Sequence, residues 1–74
     1  MDSFAAVIDR WGRNRSFDED IGAPAGSAGV WKFRDSIPPE WWESIVGAAN
    51  RRGFHDVTLD LLAGLAARKR RGVA

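Results

Sequence analysis

Ser27, Lys32 and Arg34 follow closely on "APAGSAG", a run from Ala23 to Gly29 made only of Ala, Gly, Ser and Pro. A hydroxyl, an ammonium and a guanidinium at this spacing offer donors to guanine edges and to phosphate oxygens. The small residues beside them add almost no bulk. That combination suits entry into a DNA major groove, which is about 12 Å wide and admits a helix only when its approaching side is slim. Ala25, Gly26, Ser27, Gly29, Lys32 and Arg34 are therefore the candidate base contacts. Arg13, Arg15, Arg51, Arg52, Arg68, Lys69, Arg70 and Arg71 are the candidate phosphate contacts. The last four could equally be a solvated helix end, where cations complement the macrodipole.

No other chemistry assembles from the residue types. His55 stands alone between Phe54 and Asp56, with no Cys, no second His and no Gly-rich phosphate cradle. Neither a metal site nor a nucleophile–base pair can be built from it, so the reading is of a non-enzyme without cofactor or metal. The absence of Cys suits a reducing cytoplasm.

These side chains need helices to carry them. Phe4, Val7, Ile8 and Trp11 fall at i, i+3, i+4 and i+7, and Gly12 follows where a helix would stop. Ser16 with Glu19 three residues on matches a capping box and predicts that helix two starts there and ends at Gly22. On that register Asp18, Glu19 and Asp20 occupy its first turn and stand against a phosphate contact. Pro24 can open helix three, which should run to about Arg34 with Val30, Trp31 and Phe33 as its apolar side. Gly26 and Gly29 would each cost about 1 kcal/mol there relative to Ala, which predicts a frayed start.

Pro38 and Pro39 break the chain, and helix four should span Pro39 to Arg52 with Trp42, Ile45, Val46 and Ala49 inward. Gly53 ends it. Thr58 caps helix five, whose Leu59, Leu62, Leu65 and Ala66 form a stripe widened by Leu61. Sustained period-two alternation is absent, so the expected fold is an all-α bundle of about five short helices containing a helix-turn-helix. The expected core is Phe4, Ile8, Trp11, Ile21, Val30, Trp31, Trp42 and Ile45. Trp41, Leu61 and Leu65 are candidates for a homodimer interface.

The 74 residues make room for a single domain, taken as 1–67 with a basic tail at 68–74. Net charge is +1, yet residues 1–40 hold five Lys/Arg against seven Asp/Glu, and residues 41–74 hold six against three. The cationic excess thus lies in the C-terminal half. Apolar stretches are interrupted by charge within a dozen residues, and no basic leader precedes a hydrophobic run. The expectation is a cytoplasmic, nucleoid-associated protein with no membrane segment.

"FDEDIGAP", "VWKFR", "SIPPEWW" and "VTLDLLAGLA" together resemble small phage- and prophage-type helix-turn-helix regulators of the Cro/repressor and YdaS-like kind, including carph-isopro domains. The resemblance runs from Ser16 to about Leu65, roughly two thirds of the chain. It implies a compact DNA-binding domain with helix three, about residues 24–34, as recognition helix and Ile37-Pro38 leading into helix four. Ser27, Lys32 and Arg34 stand at positions matching the family's DNA-facing residues, and Trp31 looks like its recurrent tryptophan. The implied function is a sequence-specific regulator of transcription, most simply a repressor, acting on double-stranded DNA as a homodimer. The alternative is a helical protein-binding adaptor or antitoxin-like partner, with "DED" as its best support. A regulator of this kind could also itself be held by a regulatory protein.

Overall fold

The computed structural model describes residues 1–73, with side chains described to Arg70. Five α-helices make up the bundle: α1 (Phe4–Asp9), α2 (Asn14–Ile21), α3 (Ser27–Arg34), α4 (Trp42–Arg51) and α5 (Leu59–Val73). A single 3-10 turn, Pro39–Trp41, leads into α4. The described residues contain no strand. Their largest fully buried side chains include Phe17, Ile8, Ile37, Ile45 and Leu62, which come from four helices and one loop. Phe4, Ile8, Trp11, Ile21, Trp31 and Ile45 are buried as expected, whereas Trp42 is half-buried at the edge of the core.

Helix ends follow the glycines closely. Gly12, Gly22 and Gly53 all adopt left-handed backbone, which costs a residue without Cβ nothing. At Gly22 the chain closes a Schellman pair, with Ala23 N–H donating to the Asp18 carbonyl and Gly22 N–H to that of Glu19. Thr58 caps α5 as expected, its hydroxyl accepting from Leu61 N–H at 3.1 Å.

Several expectations from the sequence are corrected. α2 begins at Asn14, with Arg13 in the cap position, so Ser16 lies inside the helix and forms no capping box. Packing decides this register, because Phe17 and Ile21 share the buried face. α3 begins at Ser27, not at Pro24: residues 22–26 form the connecting turn, and Gly26 takes left-handed backbone at φ 92°. Helix four is split into the 3-10 turn and α4, which ends at Arg51.

Val30 leaves the core and is 47% exposed, and Phe33 is 92% exposed. Trp31 lies about 100° from Val30 around the axis, so both cannot point inward, and the larger ring takes the core. Leu59 is exposed, while Leu65 is buried within the bundle, which removes it from any dimer interface. Trp41 and Leu61 also pack against the core, each half-buried. The basic residues 68–70 continue α5. Arg71 lies outside the residues whose side chains are described.

Candidate nucleic-acid interface

α3 is held by its neighbours at both ends. Asp18, buried in α2 with 4% exposure, reaches across the turn to the start of α3. Its Oδ2 accepts from Gly26 N–H at 3.0 Å and its Oδ1 from Ala28 N–H at 2.8 Å. These amide donors at a helix start have no partner in their own helix, and a carboxylate there also meets the positive end of the dipole. The acids of "DED" thus lie in the second half of α2, not in its first turn. Gly26 sits outside the helix, and the Asp18 clamp holds the start that its two glycines were expected to fray.

Asp20 and Glu19 complete a structural set. Asp20 accepts from the Trp11 indole N–H at 2.9 Å and pairs with the Arg52 guanidinium. Glu19 faces Arg15 one turn earlier at 3.5 Å. The hydrogen bond from Arg52, helped by that from Trp11 and opposed by partial desolvation, holds the Asp20 carboxyl below its ordinary 3.8. Arg10 acts likewise on Asp56, at 2.6 Å.

The far end of α3 closes on Asp35, whose left-handed backbone (φ 50°) lets Ser36 N–H return to the Trp31 carbonyl. Asp35 Oδ1 also accepts from Ala5 N–H at 3.0 Å, in the first turn of α1. Lys69 of α5 adds a third tie, donating to the Arg34 and Asp35 carbonyls.

Between these anchors α3 shows two sides. Ala28 and Trp31 are buried against α1 and α2. Trp31 lies edge-on to Phe17 at 6.1 Å and tilted against Trp41 at 5.9 Å. Gly29, Val30, Phe33 and Arg34 are exposed, as are Ala25 and Gly26 in the turn. Ser27 is at the boundary, its hydroxyl donating to the Pro24 carbonyl at 2.7 Å. Lys32 turns toward α1 and the start of α2, its ammonium meeting Asp9 at 2.5 Å and Asn14 Oδ1 at 3.4 Å. Of the three polar residues singled out in the sequence, only Arg34 stands fully on the exposed side.

Val30 and Phe33 were missed as surface residues. The signal for them was present in the sequence, since placing Trp31 inward turns both outward at helical spacing. Asn14, close to both Gly29 and Lys32, was missed as well, because helix two was given the wrong start.

Cations flank this side. Arg13 and Arg15 lie at the start of α2, where no acid occupies the first turn. The tie to the end of α3 sets the Lys69 ammonium on the Arg34 and Asp35 carbonyls, with Arg68 and Arg70 its exposed neighbours along α5. Arg51 and Arg52 are tied to Asp20 at the other end of α2, away from Arg13 and Arg15. An open groove of about 580 Å³ runs between α2 and the start of α3, bordered by Asn14, Arg15, Glu19, Gly26 and Gly29. His55 is exposed, with Nδ1 at 3.3 Å from Asn50 Oδ1. No cluster among the described residues could hold a metal ion, and no described helix is long and apolar enough to cross a membrane.

No family model, curated protein or solved structure matches this chain. Function must therefore be inferred from the arrangement of α2, the turn and α3.

Proposed function

We propose that the protein is a sequence-specific double-stranded DNA-binding regulator of transcription in which α2, residues 22–26 and α3 form a helix-turn-helix. One observation carries this reading. α3 is fixed at both ends and along its inner side, yet leaves Gly29, Val30, Phe33 and Arg34 exposed, with Gly26 bare in the turn before it. A helix so held can be placed in a major groove without losing its support.

Arg13 and Arg15 at the start of α2, and Arg68, Lys69 and Arg70 beyond the end of α3, are set to meet the two flanking phosphate backbones. In this reading Lys32 serves α3 by holding it to α1. Arg51 and Arg52 serve α2 through Asp20. Such a regulator works beside the nucleoid, and repression of a phage-type or mobile-element promoter is the role that the resemblance implies.

The test is selection of bound duplexes from a random pool, followed by a salt titration on the recovered sequence. With about five phosphates neutralised per protomer, log affinity should fall against log salt with slope near −4.5. Arg34→Ala should weaken binding by about 1 to 3 kcal/mol and relax one base position. A two-fold symmetric consensus would establish a homodimer on DNA. A flat salt response, or no enriched sequence, would overturn the proposal.

A second reading has its own support. Phe33 is almost fully exposed, and exposed aromatics are frequent anchors of protein interfaces. Under an adaptor or antitoxin-like role, Phe33→Ala would abolish capture of a protein partner while Arg34→Ala left it intact. The Trp pair does not extend that surface. Trp41 and Trp42 both pack on the core, and the Trp42 indole donates to the Ile37 carbonyl at 2.9 Å.

A further inference from the structure

Resting on the DNA-binding reading, we infer that Phe33, with Val30 beside it, is the sequence-reading element of α3 and selects duplexes that present thymine methyl groups in the major groove. Ala28 and Trp31 define the inner side of the helix. At about 100° per residue, Phe33 lies roughly 170° from the midpoint of those two, and Gly29 and Val30 flank it by about 40° and 60°. The outermost line of α3 is thus a phenyl ring with a bare backbone on one side and an isopropyl group on the other. Arg34 sits further round, toward the edge of that surface.

Thymine's C5-methyl is the only apolar group that an unmodified base pair shows in the major groove, and an apolar side chain is its natural complement. Beyond its own helix, Gly29 has only the Asn14 side-chain amide near its bare Cα, at 3.9 Å from where a Cβ would stand, which leaves room for a groove wall to approach. Val30 and Phe33 present one ring and one branched side chain, far short of the roughly 800 Å² per partner that a stable protein interface buries. A second copy docked on this side would also bring Arg34 and the Lys69 end of α5 against their own counterparts. A polyanion meets the same cations favourably.

The experiment compares the intact chain with Phe33→Ala by selection from a pool of random duplexes, then measures affinity for the recovered sequence with each thymine replaced in turn by uracil. The intact chain should recover thymine at one or two positions of the contacted site. Uracil at such a position should weaken binding about four-fold, the equivalent of one buried methyl group at about 0.8 kcal/mol. Phe33→Ala should lose about ten-fold on the thymine duplex and should no longer distinguish uracil from thymine.

Undiminished discrimination in Phe33→Ala, or equal affinity of the intact chain for both duplexes, overturns the inference and leaves DNA binding standing. Failure of the intact chain to enrich any duplex removes DNA binding as well. Loss of self-association in Phe33→Ala, measured by sedimentation, assigns this surface to a second copy and overturns the inference. Circular dichroism of the variant should be unchanged, since the ring touches almost nothing in the folded domain; unfolding would contradict the exposure on which the inference stands.

Discussion

Replacing Asp18 with Ala tests how α3 is held. The carboxylate is buried and makes two hydrogen bonds to backbone amides of the α3 start, at 2.8 and 3.0 Å. Hydrogen bonds to a charged group contribute about 1.5 to 3 kcal/mol each, and the lower figure for both gives a loss of about 3 kcal/mol. A chain of this length has a total stability of roughly 4 to 11 kcal/mol, so the variant should be severely weakened. In a domain of this size the corresponding fall in melting temperature is about 12 to 24 °C. Asp18→Asn keeps one acceptor oxygen and should lose about half as much. Thermal and urea unfolding followed by circular dichroism would give the global values, and amide exchange at Gly26 and Ala28 the local one. A loss below about 1 kcal/mol in Asp18→Ala, with both amides still protected, would refute the capping role.

Substitutions at two further positions probe the other ties. The folded Asp20 carboxyl titrates below its ordinary 3.8 because Arg52 hydrogen-bonds to it, so the stability it contributes is fully present above that value and is lost as pH falls through the lowered one. Arg52→Ala should therefore raise the midpoint of acid unfolding, read by circular dichroism between pH 5 and 1, and an unchanged midpoint would show that the pair is inert. Asp35→Gly relieves the left-handed backbone but removes the acceptor for Ala5 N–H; the bond should outweigh the relief, giving a net loss of up to about 1 kcal/mol in urea unfolding, whereas Asp35→Asn should be nearly neutral.

Much of the architecture was legible because it depends on local rules. The spacing of Phe4, Val7, Ile8 and Trp11 and the glycines at 12, 22 and 53 state the helices and their ends within a few residues of one another. Thr58 likewise signals its own helix. The errors arose where a distant contact decides. "SFDE" satisfies a capping rule on paper, but the packing of Phe17 and Ile21 starts the helix three residues earlier, with Arg13 as its cap. The role of Asp18 was hidden for the same reason, since its partners lie eight and ten residues on, across a turn whose path the sequence does not spell out. Lys32 looked like a base reader because its partner, Asp9, belongs to another helix. Val30 and Phe33 were misjudged by counting apolar residues without asking which of two adjacent ones the core could hold.

The edge-on chain of rings from Trp11 through Phe17 to Trp31, extended by Trp41, gives the domain a built-in optical gauge. The Trp31 indole lies directly behind the exposed side of α3, close enough to Trp41 for their electronic transitions to mix. Emission and near-ultraviolet dichroism will therefore register displacement of that helix without any added dye. Titrating a duplex or a protein partner against this intrinsic signal would show whether occupancy deforms the scaffold or meets it already formed.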